Sequence, residues 1–190
     1  MTGPHQFYRG FHPYGWSGGG PRSGIVESMS PSTDPVSPGP DRGTSEVVGI
    51  VIDAETDSWL LGSVVAELAH AGFRPLIIAP TVDGTVVGLG QRDLTDVPAD
   101  ELTAMVLLGA PSDETGEPDE GLVGLMREGF DRPCALLALR EVADPLAAAG
   151  IDEDEAGVEV LDETAQIVPR LAALLPQRAR WSGRRRVGSR

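Results

Sequence analysis

Residues 132–151, Arg-Pro-Cys-Ala-Leu-Leu-Ala-Leu-Arg-Glu-Val-Ala-Asp-Pro-Leu-Ala-Ala-Ala-Gly-Ile, constrain the fold of this chain most strongly. After Pro133 the apolar run Cys134–Leu139 has the length and composition of a strand buried on both faces. The chain turns polar at Arg140-Glu141, and Val142 to Ala149 reads as a short helix closed by Gly150. A buried strand, a turn and a helix place the turn at the carboxyl end of a parallel strand, where open α/β folds put their chemistry. That turn offers Ala138, Leu139, Arg140 and Glu141, and none is a nucleophile.

The segments before and after repeat the same grammar. Val47–Ile52 is a strand ending at Asp53. Ser58 is placed to cap a helix over Trp59–Ala71, whose Leu61, Val64, Val65 and Leu68 recur at helical spacing. Gly72 closes it, and Phe73–Ala79 forms the next strand, completing a β-α-β unit. Residues 81–98, with Asp83-Gly84 before Thr85-Val86-Val87, predict a small hairpin-like excursion. A helical turn at Pro98–Leu102, a strand at Ala104–Leu108, a helix at Gly121–Phe130, a strand near Gly157–Leu161 and a helix from about Glu163 to Leu175 complete the pattern. Such alternation predicts a mainly parallel sheet wrapped by helices on both faces.

Composition divides the chain into three parts. Residues 1–45 are rich in Gly, Pro and Ser and cannot bury enough apolar surface to offset ordering entropy, so a disordered leader is expected. Phe7, Tyr8, Phe11, Tyr14 and Trp16 cluster there, beside His5, Arg9 and His12, and could act as a sticker for a partner. The plainer alternative is an inert leader or a start codon placed too far upstream. Residues 46–176 form the expected domain and 177–190 an Arg-rich tail.

Charge and residue usage remove several functions. The net charge is −14, which disfavours nucleic acid as a partner of the body. All fifteen basic residues are arginine, so no mechanism that needs a lysine is open. A single cysteine fits a reducing compartment, and a cytoplasmic location is expected. No apolar run suits a membrane span. The loop after the first strand carries Asp53, Glu55 and Asp57, which would repel a phosphate, so no flavin or nicotinamide cofactor is expected. Carboxylates there could hold Mg²⁺ as in phosphate-receiving regulators, yet the acceptor Asp and the Lys such a receiver needs are both missing. Cys134 reads as apolar filling, since a reactive thiol needs an electropositive, accessible setting. His70 lacks companions at catalytic spacing, and no His/Cys pair has metal-ligand spacing. The tail Arg178-Ala179-Arg180-Trp181-Ser182-Gly183-Arg184-Arg185-Arg186 could bind a polyanion, or dock on an acidic protein surface.

The layout of 46–175 resembles the PfpI/ThiJ group of the class I glutamine amidotransferase-like superfamily, which includes peptidases, glyoxalase-type enzymes and chaperones. The resemblance rests on the opening strand with its acidic loop, Ala71-Gly72-Phe73, Asp93-Leu94 followed by Val97-Pro98-Ala99-Asp100, and Met105-Val106-Leu107-Leu108-Gly109. It rests most on Arg132-Pro133-Cys134-Ala135-Leu136-Leu137 followed by Ala147-Ala148-Ala149-Gly150-Ile151. It implies a flavodoxin-like three-layer sandwich with a nucleophilic Cys after the strand, a position held here by Ala138 with Leu139 beside it. The companion acid would fall near Thr56 or Asp57.

Within that superfamily the chain is most similar to the C-terminal domain of large-subunit haem catalases. Asp53-Ala54-Glu55, the spacing from Gly109 to Pro133, and a last helix running into Arg178-Ala179-Arg180-Trp181-Ser182 carry this similarity. The resemblance implies a non-catalytic interaction or stabilising module whose partner is a protein, a catalase core or another copy of itself. The 190 residues leave no room for a catalase core with its distal His and haem-ligating Tyr, so peroxide chemistry is not expected. Two alternatives remain: a PfpI/ThiJ-like hydrolase or glyoxalase-type enzyme using a cleft of Asp53, Glu55, Asp57 and Arg140, with or without a metal, and a polyanion-binding adaptor acting through the tail.

Overall fold

A computed structural model describes residues 46–82, 85–86 and 88–181. The expected leader, 1–45, and the end of the tail, 182–190, lie outside the described residues.

The sheet is built from apolar runs that alternate between two cores. Strands β1 (Val47–Val51), β2 (Arg74–Ala79), β6 (Ala104–Leu107), β7 (Ala135–Leu139) and β8 (Val158–Leu161) are parallel, and the two-residue β5 (Arg92–Asp93) joins β2 at one edge. Their order is β5-β2-β1-β6-β7-β8. The predicted excursion is present as an antiparallel pair, β3 (Thr81–Val82) with β4 (Thr85–Val86), outside the main sheet.

Period-two alternation sends Met105, Leu107, Leu136 and Ala138 to one face, and Val106, Ala135, Leu137 and Leu139 to the other. Helices α2 (Glu120–Asp131) and α3 (Asp144–Ala148) cover the first face through Leu122, Met126, Phe130 and Leu146. Helices α1 (Ser58–His70) and α4 (Ile167–Leu174) cover the second through Leu61, Val64, Leu68, Ile167 and Leu171. All residues of β1, β6 and β7 are buried, as a parallel sheet with two covered faces requires. The flavodoxin-like three-layer α/β sandwich expected from the sequence is therefore the fold.

Several element ends differ from the sequence reading. The cap of α1 is Asp57 rather than Ser58: its carboxylate accepts the Leu60 N–H at 2.8 Å, and Ser58 is the first helical residue. Helix α1 ends as predicted at Gly72, whose φ of +91° is the left-handed turn that glycine adopts without strain. The helix expected over Val142–Ala149 splits. Arg140–Val142 is a 3₁₀ turn and α3 starts at Asp144, with Pro145 in its first turn, where a missing N–H costs nothing. The last helix likewise begins as a 3₁₀ turn at Thr164–Gln166 and ends in another, Leu175–Arg180.

The packed body continues past residue 176. Trp181 is buried in the core beneath α1 and α4, and Arg178 holds Glu46, the residue before β1, at 3.1 Å.

Candidate functional site

The strand order fixes where a site would lie. The chain starts in the middle at β1, moves outward to β2 and β5, then returns to β6 on the other side of β1. The loops after β1 and β6 thus diverge at the switch point, where open α/β sheets present a crevice.

Here the two loops are tied together. The Asp53 carboxylate accepts the Ala110 N–H on Oδ2 at 3.0 Å, across the switch point. On Oδ1 it accepts the Glu55 N–H at 3.0 Å and the Thr56 hydroxyl at 2.7 Å. The Thr56 oxygen in turn accepts the Asp53 N–H at 3.0 Å. Gly109 makes this closeness feasible: a Cβ on it would lie 2.5 Å from the Asp53 nitrogen and from Thr56 Oγ1. The knot is a local turn fixed to the neighbouring loop, with both carboxylate oxygens engaged.

The remaining predicted site residues do not converge on it. Asp57 caps α1 with an exposed carboxylate, and Glu55 is exposed. Arg140 pairs at 2.6 Å with Asp162, the residue after β8, so it bridges toward the sheet edge and away from β1. Asp162 raises the guanidinium's pKa through this bond and its charge, keeping Arg140 firmly cationic. Both partners are more than half exposed, so the pair adds little to stability. Among the described residues no three His, Cys, Asp or Glu side chains gather to hold a metal ion.

The positions that the family resemblance singles out are sealed. Ala138 is 1% exposed in the core under α2 and α3, and Leu139 is buried on the opposite face. The Leu139 backbone is extended, with φ −68° and ψ 144°, and the 3₁₀ turn Arg140–Val142 follows it directly. Cys134 is buried just before β7, beside Gly129, in keeping with its reading as filling. His70 is exposed in the last turn of α1.

Three residues take roles at this end of the sheet or its opposite that the sequence does not assign to them. Thr56 and Gly109 complete the Asp53 knot. Arg178 lies at the amino ends of the strands, between two open depressions of about 360 and 320 Å³. Phe73 and Leu175 line the first, and Thr103, Arg132 and Cys134 the second.

No family model and no curated protein matches the sequence. Solved structures do match the fold. One is a two-domain protein containing DJ-1/ThiJ/PfpI-like and ferritin-like domains from Anabaena variabilis, with 15% identity and a TM-score of 0.50. The match covers 67% of this chain and 48% of that one, so the chain spans about half the length of this neighbour. Among the described residues no helix is long and apolar enough to cross a membrane. Sheet order, helix placement and this likeness together give the chain the flavodoxin-like α/β fold of DJ-1/ThiJ/PfpI-like domains.

Proposed function

We propose that the chain is a non-catalytic domain of the type found at the C-terminus of large-subunit catalases, acting as an interaction or stabilising module. The observation that carries this reading is Ala138, the residue that the resemblance puts in place of the nucleophile after the strand: it lies inside β7 and is 1% exposed. An alanine supplies no nucleophile in any environment. The carboxylates that a different chemistry would recruit already have work: Asp53 ties β1 to β6 and Asp57 caps α1. The Anabaena neighbour, in which a domain of this fold shares a chain with a ferritin-like domain, supports the use of the fold as one module of a larger protein.

The test adds this chain to a large-subunit catalase core cut free of its own C-terminal domain. Co-elution at fixed stoichiometry and a longer half-life of the core on heating support the proposal. Absence of any complex, or of any protection, at micromolar concentrations of both proteins counts against it.

A further inference from the structure

The amino ends of the central strands bring two arginines to one depression, in a chain whose net charge is −14. Backbone bonds set the frame. The Thr103 N–H and hydroxyl both donate to Val47 O at 2.9 Å, and the Ala135 N–H donates to Thr103 O at 3.1 Å. The starts of β1, β6 and β7 therefore stand side by side, with Glu46, Thr103 and Cys134 just before them. β1 and β7 are two strand spacings apart, about 10 Å, and Thr103 lies between them. Arg178, held by Glu46 at 3.1 Å, borders the depression from the β1 side, and Arg132 borders it from the β7 side. Ala99, Leu102 and Cys134, all buried, give it an apolar wall.

Asp100 is the one carboxylate among the lining residues. It stands 3.6 Å from Arg132, and at least half of each side chain is exposed. So long and exposed a pair contributes little and exchanges readily for a better-placed anion. A guanidinium offers five N–H donors in a fixed fork and takes a carboxylate through two of them. Two guanidinia against one carboxylate leave this depression positive. The depression of about 310 Å³ beside α2 has the opposite character, being lined by Asp96 and Glu128 with no arginine. At about 320 Å³ the arginine-lined depression falls at the lower end of small-molecule sites, which run from about 300 to 1,000 Å³. An apolar wall with a few charged groups at its edge is the usual make-up of such sites. We propose that it binds a small monocarboxylate with an apolar body, the carboxylate between Arg132 and Arg178 and the body against Leu102 and Cys134. The site lies at the end of the sheet opposite the Asp53 tie, and it does not depend on the module reading above.

The test titrates the intact ¹⁵N-labelled chain with hexanoate. The Leu102, Thr103 and Cys134 amide resonances should move saturably, while that of Ala110, at the far end of the sheet, stays in place. Acetate lacks the apolar body and hexanol lacks the charge, so each should bind about fivefold more weakly or worse. Arg132→Gln should weaken hexanoate binding about fivefold with no change in the urea midpoint. Asp100→Asn removes the competing carboxylate and should tighten it about twofold, an effect that damage to the fold would not produce. No saturable movement at about 10 mM hexanoate, about tenfold above a millimolar site, overturns the proposal. Binding of inorganic phosphate as tight as that of hexanoate also overturns it, because the apolar wall would then contribute nothing.

Discussion

Asp53 and Ala110, 57 residues apart in sequence, are joined by a hydrogen bond of 3.0 Å from the Ala110 N–H to Asp53 Oδ2. This bond closes the loops of β1 and β6 at the place where the order of the sheet reverses. A carboxylate that reads in sequence as a candidate acid or ligand is thus a structural tie. The two loops that border the switch point are therefore held together by a side chain of the chain itself.

The three carboxylates of this loop should separate in stability measurements. Asp53→Ala leaves the Ala110 and Glu55 N–H groups and the Thr56 hydroxyl without their acceptor, costing about 1–3 kcal/mol. Asp57→Ala removes one helix cap, worth about 1 kcal/mol. Glu55→Gln, at an exposed side chain, should stay within about 0.5 kcal/mol of the parent. Urea unfolding of the three variants checks this order.

Gly109→Ala should destabilise by about 1–3 kcal/mol, as overpacking does, because the new methyl collides with backbone as well as with Thr56. If Asp53→Ala is made first, only part of that clash is relieved, since the Asp53 nitrogen remains. A double-mutant cycle read by unfolding midpoints should show positive coupling between the two positions.

Acid should act through Asp93. Hydrogen bonds from Thr81 and then Thr95 to its charged form lower the carboxyl's pKa below the ordinary range. Its stabilisation is therefore complete above the unfolded-state value of about 4 and is lost as pH falls through the lower folded value. The stability difference between the parent and Asp93→Asn should be constant from about pH 7 to pH 5 and shrink below about pH 4. A difference that grows on acidification would contradict the assignment.

Trp181 should prove part of the body. It is 6% exposed among Leu171, Leu174, Leu175 and the buried side of α1, so Trp181→Ala should cost about 3–5 kcal/mol. Denaturation followed by far-UV circular dichroism would measure the loss.

Much of this fold is legible because its strands are continuous apolar runs. β1, β6 and β7 are buried along their whole length, and hydrophobicity alone marks them. β5 carries no such signal, since Arg92-Asp93 is two charged residues held by register with Ile78 and Ala79. The candidate site was legible as a place but not in its chemistry. Sequence puts Asp53, Glu55 and Asp57 in one loop, yet only the folded chain shows that Asp53 faces Ala110, while Arg140 reaches Asp162. Such contacts depend on which strands become neighbours, and spacing along the chain does not encode that. Trp181 shows the same limit: an aromatic among arginines reads as tail until the last 3₁₀ turn folds it beneath α4.

The proposed module performs no catalysis at this end of the sheet, and a turnover assay puts that proposal to the test. Purified chain should consume methylglyoxal and cleave peptide or ester substrates no faster than a buffer blank. Turnover above blank that survives Cys134→Ala and disappears in Asp57→Asn would contradict the account and make the acidic loop an active site.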